Sequence, residues 1–281
     1  MTLPASTPHP ARAMLLAAGR GERMRPLTDT CPKPLLAVQG KPLMQWPLEA
    51  LARGGVDTVV INTAWLGEQI ATQFGNVFGL PRPLDVRSKL SNSEQISAMD
   101  AAIGTLQLHY SDEGRDFGGA LETAGGIARA LPLLGEAFWV LAGDVFAPDF
   151  VFSPAAVQRF MASGKLAHLW LVPNPEHNLR GDFGLGIPGT DGSTLALSLP
   201  AEDPRPRYTY STIGLYRAAL FAPPWCDIPA GNPQGTKAAL APLLRAAMAQ
   251  GQISAELYTG RWTDVGTPQR LQALNQPSDR A

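Results

Sequence analysis

Short apolar runs alternate with amphipathic stretches along this chain, and the alternation predicts strands joined by helices. Residues 13–18 are a compact apolar run that stops at Gly19, the pattern of a buried parallel strand feeding a loop. Leu43, Trp46, Ala50 and Leu51 then recur at near-helical spacing until Gly54-Gly55 stops them. Residues 58–62 are β-branched and predict a second strand, and helical spacing returns over 65–74. Strand, helix, strand, helix implies parallel pairing. The alternation resumes with a helix over 123–131 and a strand over 137–142 that runs into Gly143-Asp144.

Beyond Asp144 the periods shorten. A helix over 155–162 and a strand over 167–172 are followed by brief apolar segments at 183–187, 195–199 and 208–216, which predict an antiparallel region beside the parallel sheet. Residues 237–250 read as helix up to Gly251, residues 253–258 as a strand, and residues 268–275 as a last helix. The fold class is α/β: a Rossmann-like mixed, mainly parallel sheet flanked by helices. Residues 1–11 read as a flexible extension, residues 12–276 as one domain and residues 277–281 as a tail. Residues 81–105 look inserted, with Ser91 to Glu94 as a capping box and Ile96, Met99 and Ile103 on one helical face. Residues 190–207 are polar and end in prolines, as an extended hairpin would.

Composition narrows this picture only a little. A chain of 281 residues with 45% apolar and 17% charged residues buries an ample core. A net charge of -1 gives no general attraction to nucleic acid, so any cationic field is local. No apolar run approaches a membrane span, residues 1–10 have no apolar signal core, and Cys31 and Cys226 are far apart, so the protein reads as cytoplasmic. His9, His109, His168 and His177 show no pairing with Ser or Cys in a triad-like context and read as structural or exposed. Nothing in the sequence speaks to oligomeric state.

Candidate chemistry concentrates after the first strand. In open parallel sheets ligands sit beyond the carboxyl ends of the strands, so the Gly19 loop and Asp144 can face one crevice. Gly19 and Gly21 leave backbone N–H groups open to phosphate oxygens, and Arg23 and Lys33 bring positive charge to the same anion. The third glycine of a dinucleotide fingerprint is missing, and no Gly-Lys-Ser/Thr closes a P-loop. What remains is Leu16-Ala17-Ala18-Gly19-Arg20-Gly21-Glu22-Arg23-Met24-Arg25-Pro26-Leu27-Thr28 with Pro32-Lys33-Pro34-Leu35, a site for a nucleoside triphosphate.

These residues resemble the signature of the sugar-1-phosphate nucleotidylyltransferases. Ile61-Asn62-Thr63-Ala64-Trp65-Leu66-Gly67, Leu121-Glu122-Thr123-Ala124-Gly125-Gly126, Gly143-Asp144-Val145, Arg180-Gly181-Asp182-Phe183 and Trp262-Thr263-Asp264-Val265-Gly266-Thr267 continue it in an order similar to the branch that joins UTP to N-acetylmuramic acid 1-phosphate. The resemblance implies a nucleotide-diphospho-sugar transferase (GT-A-like) fold and magnesium held by Asp144 and Asp264. Lys33 would lie near the α-phosphate and Arg23 at the β and γ groups. Ala18, Gly19, Gly21, Glu113, Thr123 and Gly125 would hold the nucleotide, and Asn62, Gly181, Asp182 and Lys237 the sugar phosphate, with Trp65 beside Asn62 at the mouth. A lactyl carboxylate on the sugar calls for a cation, for which Arg180 or Arg207 is a candidate. Mannose 1-phosphate with GTP, glucose 1-phosphate with UTP or dTTP, and a nucleotide-sugar sensor without turnover stay open.

Overall fold

The parallel centre of the sheet brings four strand ends level, and the site is built on that edge. A computed structural model describes residues 11–80, 104–189 and 193–276. Its strands are β1 (Ala11–Ala17), β2 (Ala37–Val38), β3 (Lys41–Pro42), β4 (Val56–Thr63), β5 (Val77–Gly79), β6 (Thr105–Asp112), β7 (Ala137–Ala142), β8 (Val145–Phe146), β9 (Ala167–Val172), β10 (Phe183–Leu185), β11 (Ala196–Leu197), β12 (Arg207–Arg217), β13 (Ile253–Leu257) and β14 (Thr263–Asp264). Its helices are α1 (Gln45–Arg53), α2 (Gly67–Phe74), α3 (Glu113–Phe117), α4 (Glu122–Leu134), α5 (Pro154–Ser163), α6 (Leu240–Ala249) and α7 (Pro268–Asn275).

The main sheet runs β11-β10-β12-β7-β1-β4-β6-β5, and β9 pairs with β12 and with β13. Strands β7, β1, β4 and β6 are parallel to one another, whereas β12 crosses antiparallel to β7 and β9. Register pairs Leu16 with Ala142, Ala17 with Thr63, and Thr63 with Asp112, so their following loops open on one edge. The mainly parallel, helix-flanked sheet predicted from periodicity is the sheet observed.

Strand alternation fills both faces. Ala13, Leu15, Val59, Ile61, Trp139 and Leu141 join one buried cluster, and Met14, Val60, Phe138 and Val140 join the other. Helices α1, α2 and α5 cover the first, α4 and α6 the second. A third, small cluster of Met24, Leu36, Val38, Leu43, Phe146 and Val265 anchors the glycine loop and the β8–β14 pair to one another. Each such side chain, fully buried, contributes about 1.5–3 kcal/mol.

Several boundaries differ from expectation. Ala11 belongs to β1 rather than to an extension. Helix α6 begins at Leu240, not Lys237, because Ala238 pairs in extended form with Leu121 and Ala124: Ala238 N donates to Leu121 O at 3.1 Å and Ala124 N to Ala238 O at 2.9 Å. Strand β6 was not expected; Leu106 and Leu108 are buried between exposed Thr105, Gln107 and His109, an alternation lying at the margin of the supposed insertion. Of the residues expected to form a hairpin over 190–207, 196–197 form β11, which pairs with β10 ahead of that range, and no strand pairing within the range occurs among the described residues. Residues 1–10, 81–103, 190–192 and 277–281, including the capping box and the Ile96, Met99 and Ile103 face, lie outside the described residues.

Candidate active site

The loop after β1 is held by its own side chains. Gly21 has φ +70, a left-handed conformation that a Cβ would strain, and the added atom would meet Thr28 Cγ2 at 3.0 Å. Thr28 Oγ1 donates to Gly21 O at 2.9 Å, and Trp65 Nε1 donates to Thr28 O at 2.9 Å. Of the loop's arginines, Arg20 stacks over the Trp65 ring at 3.4 Å and pairs with Glu22, while Arg25 pairs with Asp29 at 2.7 Å. Arg23 makes no ion pair among the described residues and lies in the wall of the cleft.

That cleft has a volume of about 460 Å³. Ala18, Gly19, Gly21, Arg23, Lys33 and Asp144 line one side of it, and Asn62, Glu113 and Thr123 are also in its wall. No atom lies within 4 Å of where a Gly19 Cβ would stand, so this backbone faces open space. Lys33 is only 8% exposed and donates to the Asp144 carboxylate. Proline on both sides of Lys33 and the short helical turn Lys33–Leu35 aim its ammonium at that acid.

Three buried hydrogen bonds tie the floor together. Ala17 N donates to Asn62 Oδ1 at 2.9 Å, Asn62 Nδ2 donates to Glu113 Oε1 at 2.8 Å, and Leu121 N donates to Glu113 Oε2 at 2.7 Å. Glu113 has no exposed surface, and burial pushes its carboxyl pKa upward against the lowering effect of these donors. Gly126 makes room for the network, since its Cβ would fall 2.6 Å from Glu113 Oε1. Asn62, expected at the mouth for the sugar, therefore sits in the floor of the cleft that the glycine loop lines, and Trp65 clamps that loop.

Asp264 reaches the same region through the backbone. It pairs with Val145 on the β8–β14 ladder, and Val265 N donates to Asp144 O at 2.9 Å. Gly266 lines the cleft, while the Asp264 carboxylate turns to Arg270 at 2.5 Å and lies 2.9 Å from His177 Nε2. That second contact lacks hydrogen-bond geometry, which leaves Asp264 Oδ1 buried without a hydrogen bond. Among the described residues no group of three or more His, Cys, Asp or Glu side chains gathers as a metal site.

A second cavity of about 640 Å³ adjoins the first and shares Leu16, Glu122, Thr123 and Thr212 with it. Asp182 lines this one, and its carboxylate accepts from Tyr210 N at 2.8 Å and from Asn178 Nδ2 at 3.3 Å. Gly125, Gly181 and Lys237 line neither cavity: Gly125 N donates to Ala238 O, Gly181 N to Asn178 O, and Lys237 is exposed beside Ala238. Arg207 is spent on the carbonyls of Leu199 and Pro200.

Sequence reading missed Thr212, Glu122 and Gly266 in the cleft, and Arg270 and His177 around Asp264. Thr212 and Glu122 have φ of +66 and +60, conformations no local motif announces. His168 also has a serine partner, Ser254 Oγ at 2.9 Å, because strands β9 and β13 pair across 86 residues of sequence.

The family comparison agrees with this geometry. Residues 12–279 match the nucleotidyl transferase family. The chain is 42% identical over 272 residues to N-acetylmuramate alpha-1-phosphate uridylyltransferase of Neisseria meningitidis serogroup B, covering 92% of this chain and 95% of that one. It is 30% identical to a UTP–glucose-1-phosphate uridylyltransferase of Synechocystis sp., covering 79% of this chain and 52% of that one. The fold is shared with UTP-bound UGPase from Acinetobacter baumannii, with a TM-score of 0.66 at 16% identity over 95% and 92% of the two chains. No helix among the described residues is long and apolar enough to cross a membrane. A loop of bare backbone, a buried lysine on an aspartate and a match over nearly the whole chain place this protein in the nucleotidyl transferase family, as an enzyme that transfers a nucleotide to a sugar 1-phosphate.

Proposed function

We propose that this chain joins UTP and N-acetylmuramic acid 1-phosphate to give UDP-N-acetylmuramic acid and pyrophosphate, as a cytoplasmic enzyme of peptidoglycan recycling. The observation that carries the substrate reading is the 42% identity, sustained over 92% of this chain, to a uridylyltransferase of that sugar phosphate. The two adjoining cavities supply room for a nucleotide and a substituted sugar.

The sugar phosphate is already ionised at neutral pH, so its oxygen attacks the α-phosphorus without a general base. A P–O bond forms there as the bond to the departing pyrophosphate breaks, and the electron pair leaves on that oxygen. Two polyanions must meet, so catalysis consists of positioning and positive charge. Arg23, the loop arginine without an ion pair among the described residues, takes the β and γ groups, and its planar fork suits two phosphate oxygens. Lys33 exchanges Asp144 for the α-phosphate and neutralises charge at the reacting centre. Ala18, Gly19, Gly21 and Thr123 bound the nucleotide, and the Asn62–Glu113 pair holds the strand ends that carry them.

Asp144 and Asp264 would hold magnesium. Asp144 faces the cleft, and Asp264 Oδ1, which makes no hydrogen bond among the described residues, is a carboxylate oxygen such an ion could take once its 2.9 Å contact with His177 loosens. When bound, the ion supplies Lewis-acid charge to the phosphate oxygens.

The test is pyrophosphate release by the purified protein with UTP, GTP or dTTP against N-acetylmuramic acid, mannose and glucose 1-phosphates, with the product identified by mass. UDP-N-acetylmuramic acid formed in preference to the others supports the reading. Preference for glucose 1-phosphate or mannose 1-phosphate replaces its substrate, and tight UTP binding without pyrophosphate release replaces catalysis with sensing.

A further inference from the structure

The second cavity has one wall whose chemistry the transfer reaction does not use. Helix α6 presents Leu240, Ala241, Leu244 and Arg245 to it, a three-four spacing that puts them on one face. Val140 and Phe183 add to an apolar lining. Among the described residues, Arg245 is the single cationic side chain in that lining.

Arg245 is held loosely. Its Nη1 lies 3.4 Å from Ser198 Oγ and its guanidinium 5.7 Å from the Phe183 ring centre, and it makes no ion pair among the described residues. The carboxylates in this wall are engaged or peripheral: Asp182 is turned to Tyr210 N and Asn178, and Glu122 is exposed at the neck between the cavities. A guanidinium beside apolar surface, lacking a fixed anion, is a receptor for a carboxylate brought by the ligand, which it can bind through two parallel hydrogen bonds.

We infer that Arg245 receives the carboxylate of the sugar's 3-O-lactyl substituent and thereby selects an acid-bearing sugar phosphate over a neutral one. The inference rests on the substrate reading proposed above. The apolar wall formed by Leu244 and its neighbours takes the methyl of the same substituent. A sugar with a plain hydroxyl at that position leaves the exposed Arg245 guanidinium to water, and the charge-assisted hydrogen bonds it forgoes are the discrimination. Neither Arg180 nor Arg207 can replace it, since Arg180 lies outside this wall and Arg207 is bonded to backbone carbonyls.

The experiment compares kcat/KM for N-acetylmuramic acid 1-phosphate and N-acetylglucosamine 1-phosphate, which differ only in the lactyl group, using UTP and the full chain. The parent enzyme is expected to favour the first, and Arg245→Gln to lower that preference roughly ten- to a hundredfold, chiefly through KM. Arg245→Lys is expected to restore part of it, because a point charge attracts the carboxylate without the paired geometry. A preference retained by Arg245→Gln, or an equal loss on both sugars, overturns the inference while leaving the proposed function standing. A parent enzyme that uses neither sugar, or both equally well, overturns the inference at its premise, and in the first case the substrate reading falls with it.

Discussion

Lys33 and Asp144 are partners across 111 residues of sequence, an ammonium from the glycine loop laid on a carboxylate that follows β7. The pair keeps the lysine folded into the cleft before substrate arrives. In the proposed role a phosphate then competes for the same ammonium, and its charge acts where the bond to pyrophosphate breaks. Lys33→Ala is expected to lower kcat by about two to three orders of magnitude with a smaller change in KM for UTP. Steady-state kinetics with saturating sugar phosphate check this; a loss confined to KM would move Lys33 away from the reacting phosphorus.

The metal assignment makes a separate claim. Chelation is expected to stop turnover and magnesium to restore it, and Asp144→Asn and Asp264→Asn each to reduce kcat by about a hundredfold or more. Asp264 reaches this role only by loosening its contacts with Arg270 and His177, so Arg270→Gln should leave the magnesium requirement in place while shifting the concentration needed. Magnesium titration of the rate measures all four. Chelator-resistant turnover in both aspartate variants would remove the ion from these residues.

Much of this arrangement was legible in the chain. Strands β7 and β9 and helix α7 fall where periodicity puts them, because each is an apolar run or amphipathic turn bounded by Gly, Pro or Ser signals. The cleft gathers Arg23, Lys33, Asp144, Glu113 and Thr123 because parallel strands end level, a consequence of topology that motif order conveys. Side-chain direction was not legible. Whether Gly125 meets a ligand or Ala238 depends on packing between segments more than 100 residues apart, and Asp264 turns from the cleft to Arg270 through the short turn that opens α7. Arg245 carries no local motif, and only the face of α6 turned to the cavity marks it out.

Glu113 ties stability to pH. Its carboxyl pKa is raised by burial, so the folded protein binds more protons than the unfolded chain between the ordinary carboxylate range and the raised value. Stability from this group is therefore greatest below the unfolded pKa and declines as pH rises through the folded one. Glu113→Gln removes that slope. It also sets an amide donor against Asn62 Nδ2 or Leu121 N, at a cost of about 1–3 kcal/mol. Urea unfolding across the acidic range is expected to show parent and variant converging as pH climbs; a constant gap would mean the carboxyl titrates normally.

Two glycines in the site should respond oppositely to the same substitution. An added Cβ at Gly126 falls 2.6 Å from Glu113 Oε1 and 3.0 Å from Asn62 Nδ2, so Gly126→Ala is expected to cost about 1–3 kcal/mol of stability by pushing the floor apart. Gly19→Ala meets nothing within 4 Å in the protein and should leave Tm nearly unchanged. Its methyl instead enters the space assigned to the nucleotide and should weaken UTP binding. Thermal melts paired with UTP titrations separate the two, and equal loss of Tm in both would contradict the open backbone at Gly19.

Of the two left-handed non-glycine residues in the site, Glu122 and Thr212, Thr212 is the β-branched one. It lies where the β12–β9 pairing is interrupted between Tyr210 and Gly214, with φ +66, which a β-branched side chain tolerates poorly. Neighbours hold it there: Ser211 Oγ donates to Trp170 O at 2.6 Å and accepts from Ile213 N at 3.1 Å, and Trp262 Nε1 donates to Ser211 O at 3.1 Å. The Thr212 hydroxyl is buried without a hydrogen-bond partner among the described residues, so neither conformation nor hydrogen bonding explains its presence. Its position does, because its side of the chain lines both cavities at their junction. Thr212→Gly is expected to raise stability by about 1 kcal/mol, the relief of left-handed strain less the entropy cost of glycine, and to lower kcat/KM for the sugar phosphate by widening the neck. Denaturant unfolding and steady-state kinetics on the one variant read both effects. A variant less stable than the parent would show that the bulge is no strain at all, and one more stable with undiminished turnover would show that the neck does not position the sugar.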